Sequence, residues 1–276
     1  VDAFTSQAFK GNPAGVCVVE EFPPEELMQK IAAELHWSET AFVKKLPSPE
    51  DYPLFHIRWF SPEDEAPMCG HATLAAAHIL WQQGYSKAPL IRFESLAGEL
   101  KTILNKDGWI TLDFPRKNVS PCPMPEIIQQ ALGNVTIESV LRDDLIYLVV
   151  LSDPEEVRNV RPNLALIETL DCRAVTVTAQ STQPFNFISR YFAPKVGIPE
   201  DPVCGSAHCR LVPYWGEVLG LKEMTAYQAS SRGGIIKTRY DINRVYLTGQ
   251  ATTICEGSLS LPEHYFQSII ERKKAS

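Results

Sequence analysis

The chain has 276 residues, 45% of them hydrophobic and 21% charged, which is comfortable for two domains of about 120–150 residues. Its 33 acidic and 26 basic residues leave a net charge of −7, and without a basic stripe a nucleic-acid surface is excluded. No apolar run approaches the ~18 residues of a membrane span, and the seven cysteines show neither zinc-finger nor redox spacing, which predicts reduced thiols in a cytoplasmic protein.

Val1-Asp2-Ala3-Phe4 reads as mid-strand sequence, so a few residues are expected before it, and no signal peptide is expected. Val16–Val19 is a buried-strand run, and Glu25–Leu35 has helical apolar spacing. Glu39–Val43 and Phe55–Phe60 predict strands. Ala72 to Gln83 is apolar nearly all round, as in a helix wrapped by other structure. Strands follow at Ile91–Ser95, Glu99–Asn105 and Trp109–Phe114, with Asn105-Lys106-Asp107-Gly108 as a hairpin turn. Pro115–Pro125 holds four prolines and is the linker candidate. The order then repeats: a helix at Pro125–Leu132, strands at Leu145–Leu151, Ala174–Thr178 and Asn186–Phe192, and an apolar helix at Ala207–Leu219 kinked at Pro213. Strands at Thr225–Ser230, Ile235–Tyr240 and Arg244–Thr248 precede a closing helix at Pro262–Lys273.

One motif occurs twice. Arg58-Trp59-Phe60-Ser61-Pro62 runs on to Pro67-Met68-Cys69-Gly70-His71-Ala72, and Arg190-Tyr191-Phe192-Ala193-Pro194 runs on to Pro202-Val203-Cys204-Gly205-Ser206-Ala207. The cysteines are 204 − 69 = 135 residues apart, about half the chain, which predicts a duplication. The expected fold is α+β: two pseudo-symmetric halves, each a curled, mostly antiparallel β-barrel around a central helix. The expected domains are 1–117, completed by a C-terminal helix at 263–276, and 118–262.

Cys69 and Cys204 each precede Gly at a helix start, where the dipole would lower a thiol pKa; each also fits the ordinary role of a small buried residue. Gly70 and Gly205, with His71 and Ser206, could form donor nests for a carboxylate, or plain tight turns. His71 fits proton transfer and helix capping equally well. Glu39 enters an apolar strand, where burial would raise its pKa towards that of a useful base; an edge-strand surface acid is the plainer reading. Asp201 precedes a proline and fits a turn residue. Arg232 and Gly233 could receive an anionic ligand or form a hairpin turn. His78 is assigned to the core, and His208 and His264 have no informative context. There is no Walker or Rossmann loop, no nucleophile elbow and no metal-ligand spacing, so neither cofactor nor metal is expected.

Gly11-Asn12-Pro13-Ala14, Ser38-Glu39-Thr40-Ala41-Phe42, Cys69-Gly70-His71-Ala72-Thr73 and Glu200-Asp201-Pro202-Val203-Cys204-Gly205-Ser206-Ala207 resemble, in order, the signatures of the PhzF-like family. The resemblance covers essentially the whole chain. It implies the diaminopimelate-epimerase-like fold with an active site between the halves; the leading reading of that site is an isomerase acting on a small carboxylate-bearing molecule. It assigns Glu39 as the proton shuttle, with His71, Asp201 and Ser206 as its companions. Related amino-acid epimerases and racemases instead use two thiols, at positions matching Cys69 and Cys204, and this chain has both sets. Three readings follow: a Glu39-centred isomerase, a two-thiol epimerase or racemase, and a non-catalytic binding or scaffold protein on a relic fold. The resemblance also suggests a homodimer, and it alone suggests a protein partner.

Overall fold

The computed structural model of the chain describes residues 1–48, 51–261 and 265. Two compact units are present. Val1–Ala8, Pro13–Ile110 and the described residues of Gln250–Ser276 make the first; Phe9–Asn12 and Thr111–Gly249 make the second. The boundary at 110/111 falls ahead of the proline-rich segment.

The first unit holds β1 (Asp2–Ala3), β2 (Asn12–Val19), α1 (Glu25–Leu35), β3 (Glu39–Leu46), β4 (Leu54–Phe60), β5 (Glu65–Ala66), α2 (Gly70–Gln82), β6 (Leu90–Ser95) and β7 (Gly98–Leu104). The second holds β8 (Ile110–Pro115), β9 (Ser120–Pro121), α3 (Glu126–Leu132), β10 (Ile137–Arg142), β11 (Ile146–Leu151), α4 (Pro154–Asn159), α5 (Leu164–Thr169), β12 (Ala174–Gln180), β13 (Phe187–Ala193), β14 (Ile198–Asp201), α6 (Gly205–Leu219), β15 (Glu223–Gln228), β16 (Gly234–Tyr240) and β17 (Arg244–Gly249). A last strand, β18 (Ala251–Thr252), pairs with β1. β8 hydrogen-bonds to β17, which is why the segment from Thr111 belongs to the second unit.

The duplication is written into the ladders. In the first unit β2 and β3 are parallel, β3 and β4 antiparallel, β4 and β5 antiparallel, β4 and β6 parallel, and β6 and β7 antiparallel. In the second, β11–β12, β12–β13, β13–β14, β13–β15 and β15–β16 repeat that series in the same order. The fold is thus α+β and mostly antiparallel, with two parallel pairings in each of these two series. Each parallel neighbour is reached through a helical crossover, as parallel strands require.

The two apolar helices sit where their composition demands. α2 buries Ala72, Leu74, Ala75, Ala76, Ala77 and Leu80 and packs on β1, β3 and β18. α6 buries Ala207, Leu211, Val212 and Trp215 and packs on β15, β16 and β17. Each buried Leu contributes about 1.5–3 kcal/mol. Pro213 lies inside α6 and has no N–H for the Cys209 carbonyl. The Lys117 N–H donates to that carbonyl instead, at 3.1 Å, so the helix continues past its proline.

The structure departs from the sequence expectations in places. α2 starts at Gly70 and α6 at Gly205, each two residues earlier than read. The sequence reading did not anticipate β10, α4 or α5. α4 and α5 are six residues each, held at their starts by Asp153 and Asn163 side chains. The closing helix expected at 262–273 lies, apart from Tyr265, outside the described residues.

Candidate active site

Each unit builds the same frame around its cysteine. Arg58 on β4 clamps Glu65 of β5 with two bonds of 2.7 Å. Arg190 on β13 clamps Glu200 of β14 at 2.7 and 2.9 Å. The same guanidinium groups lie over Phe60 and Phe192, 5.1 and 4.9 Å from the ring centres. The duplicated Arg-aromatic-Phe motif is therefore a clamp that fixes the short strand leading through proline into the Cys-Gly turn. Cys69 and Cys204 are the N-cap residues of α2 and α6. The Cys69 carbonyl accepts from Thr73 Oγ1 at 2.5 Å, and the Cys204 carbonyl from His208 Nδ1 at 2.7 Å.

On this common frame the chemical side chains differ. Phe42 stands opposite Arg58, and Val177 opposite Arg190. Three residues back along each strand come Glu39 and Ala174, which open β3 and β12 and pair with Ala14 and Ile146. Ala66 stands opposite Trp59 where Asp201 stands opposite Tyr191. His71 follows the first Cys-Gly and Ser206 the second. Each unit thus keeps one acid of a different origin, and neither keeps both.

In the first unit Glu39 Oε2 lies 3.1 Å from His71 Nε2, their side chains 14% and 6% exposed. Cys69 Sγ lies 3.5 Å from His71 Nδ1. Burial pulls the imidazolium pKa down, but the neighbouring Cys69 and Glu39 override it and hold His71 well above its ordinary value. Burial and Glu39 push the Cys69 thiol up. In the second unit Cys204 Sγ lies 3.2 Å from Ser206 Oγ. Burial and then Asp201 hold the Cys204 thiol well above the ordinary range. The expected dipole-lowered thiols are therefore corrected. Backbone N–H groups of Ala72 and Ala207 do favour the thiolates, but desolvation and a nearby carboxylate outweigh them.

Asp201 is held from two sides. Asn12 Nδ2 donates to its Oδ1 at 2.8 Å and to the Val203 carbonyl at 3.0 Å. Gln228 Nε2 donates to the Asp201 carbonyl at 2.6 Å, and Gln228 Oε1 accepts from the Cys204 N–H at 2.9 Å. Both amides are fully buried. Asn12 and Glu200 lie within the family-like signatures, whereas Glu65 and Gln228 lie outside them and carry no motif of their own.

Arg232 Nε donates to the Gly11 carbonyl and its Nη2 to the Lys10 carbonyl, so these bonds hold the segment that carries Asn12. Gly233 has φ of 68°, and a Cβ there would meet Tyr227 Oη at 2.2 Å. Gly233→Ala is expected to cost about 2 kcal/mol from strain and overlap. Urea unfolding measures it, and a loss below about 0.5 kcal/mol, the range of neutral surface changes, would contradict the placement.

His208 is fully buried, and among the described residues its Nε2 has no hydrogen-bond partner. Burial lowers its pKa to about 4. Its folded pKa lies below the unfolded value, so its stability contribution is intact above about pH 6.5 and is lost as pH falls towards 4. The difference, (6.5 − 4) × 1.36, is about 3 kcal/mol. Urea unfolding at about pH 7.5 and about pH 4.5 should show a smaller acid loss in His208→Gln than in the parent. Equal losses would refute the assignment.

Glu39, Cys69 and His71 also offer one metal-ligating atom each, all within 4.8 Å of one another. No helix among the described residues is long and apolar enough to cross a membrane, and none of the seven cysteines forms a disulfide.

Comparison with known proteins bears on this geometry. A protein of Halalkalibacterium halodurans named an uncharacterized isomerase is 43% identical over 270 residues, covering 95% of this chain and 97% of its own. The human phenazine biosynthesis-like domain-containing protein is 41% identical over 281 residues, covering 94% and 97%. The crystal structure of a PhzF-family phenazine biosynthesis protein from Enterococcus faecalis superposes with a TM-score of 0.88 at 39% identity, covering 94% and 97%. A predicted epimerase from Pseudomonas aeruginosa shares the fold, with a TM-score of 0.70 at 18% identity over 95% and 98%. The family described as phenazine biosynthesis-like protein, PhzC-PhzF, matches residues 1–257, and the chain belongs to that family.

Proposed function

We propose that this chain is an isomerase that uses no cofactor and moves a proton on a small carboxylate-bearing substrate, with Glu39 taking and returning that proton. The observation that carries this reading is the broken internal symmetry. Glu39 stands where the other unit has Ala174, and it is hydrogen-bond close to His71, at 3.1 Å. A carboxylate at the edge of an apolar strand, beside a histidine held cationic, can accept a proton from carbon next to a carboxylate. The cation and the α2 N-terminus then stabilise the charge that develops. The relatives named isomerases support the reaction class. The free thiols fit a reducing compartment such as the cytoplasm.

The matched N-cap positions of Cys69 and Cys204 favour a second reading, inversion at one carbon by two thiols. That chemistry needs one of them as thiolate, and both are pushed towards the protonated form. A panel of amino, hydroxy and unsaturated acids, incubated with the protein in heavy water, tests the class. Enzyme-dependent incorporation of deuterium at carbon in at least one acid is expected. Its absence across the panel, with bound ligand detected by thermal shift, would favour the non-catalytic reading.

A further inference from the structure

We propose that Glu39, Cys69 and His71 form a binding site for a thiophilic divalent cation of the zinc and cadmium class. Glu39 is remote in sequence from Cys69 and His71, and rigid elements carry all three. Glu39 opens β3, Cys69 caps α2 and His71 lies in the first turn of that helix. Glu39 Oε2 is 3.1 Å from His71 Nε2, and Cys69 Sγ is 4.0 Å from the same nitrogen. A tetrahedral zinc with ligands at about 2.0–2.3 Å needs them about 3.4–3.6 Å apart. The oxygen and Nε2 are already close to that spacing, whereas the sulfur sits nearer Nδ1, at 3.5 Å, so the Cys69 side chain must turn to meet an ion on Nε2. On binding, the Cys69 thiol and the His71 imidazolium each give up a proton; thiolate, imidazole and carboxylate then form a donor set that suits zinc, and three protein ligands leave a fourth position open. Glu39, 14% exposed in its side chain, gives the entry side.

The duplicated frame supplies an internal control. The second unit has the same Arg–Glu clamp, N-cap cysteine and apolar helix. Its counterparts of Glu39 and His71 are Ala174 and Ser206. One ligating side chain remains of three, so the same backbone in the other half does not make the site. Binding does not depend on the proposed reaction. Where Glu39 is the proton shuttle, a bound ion occupies it and acts as an inhibitor.

The test uses the full chain with its exposed thiol removed, Cys255→Ser, titrated with cadmium and followed by the cadmium–thiolate charge-transfer band. One equivalent should produce the band. Cys69→Ser and Cys69→Ala should abolish it, and Glu39→Gln and His71→Gln should each weaken binding at least about tenfold. Cys204→Ser should leave it unchanged. Persistence of the band without Cys69, its loss without Cys204, its absence from the parent, or unchanged affinity in Glu39→Gln and His71→Gln would each overturn the proposal. Circular dichroism checks that every variant folds. If the Cys69 variants do not fold, Glu39→Gln, on the more exposed side of the site, decides alone.

Discussion

Glu39→Gln is expected to retain the fold and to lower turnover of any isomerised acid by about 10²-fold or more, the scale of removing a general base. Glutamine keeps the length and a polar end to meet His71 Nε2, now 3.1 Å from Glu39 Oε2, so the loss falls on proton transfer. Glu39 is the first residue of β3, next to Ala14 of β2, and β3 is pinned by its ladder to β4. A carboxylate at that point is set by the strand register and cannot drift from the α2 N-terminus. Circular dichroism and turnover measured together check this. A variant that keeps more than about a tenth of parental turnover would remove Glu39 from the base role.

Arg190→Ala is expected to cost about 3 kcal/mol or more, because it leaves a partly buried carboxylate without its cation. The Arg190 side chain is 8% exposed and its Glu200 partner 24%. Its Nη1 also donates to the Val160 carbonyl at 2.7 Å, with longer bonds to the Val157 and Arg158 carbonyls. The residue therefore ties β14 to the end of α4 as well as to the cysteine turn. Arg58, its counterpart, is 19% exposed and shares its charge with Glu25, which is 69% exposed. Its Glu65 partner is as buried as Glu200, at 19%, but the bonds of Arg58 go to carboxylates and none to a backbone carbonyl among the described residues, so Arg58→Ala should cost less than Arg190→Ala. Urea unfolding of the two variants compares them directly. A smaller loss for Arg190→Ala than for Arg58→Ala would contradict the burial argument.

The sequence made the repeat legible because the repeated residues do repeated work. Arg58 and Arg190, the prolines, the cysteines and the glycines recur because both units need one clamp and one helix start. Glu65 and Glu200 escaped notice because an acid in a polar loop looks solvated until strand register places it opposite an arginine. α4 and α5 are too short for apolar periodicity to register, although Asp153-Pro154-Glu155-Glu156 carries a capping signal. The thiol pKa values were misjudged for a different reason. Helix-start reasoning is local, whereas the burial and the carboxylates acting on Cys69 and Cys204 depend on strands distant in sequence. The convergence of Glu39 with Cys69 and His71 was invisible to ligand spacing for the same reason.

The central claim is that Glu39, and not the pair of thiols, moves the proton. Deuterium incorporation from heavy water, measured on a single isomerised acid, separates the two. Exchange should persist in the Cys69→Ala/Cys204→Ala double variant and fall by about 10²-fold or more in Glu39→Gln. Exchange abolished by the double cysteine variant and preserved in Glu39→Gln would contradict it.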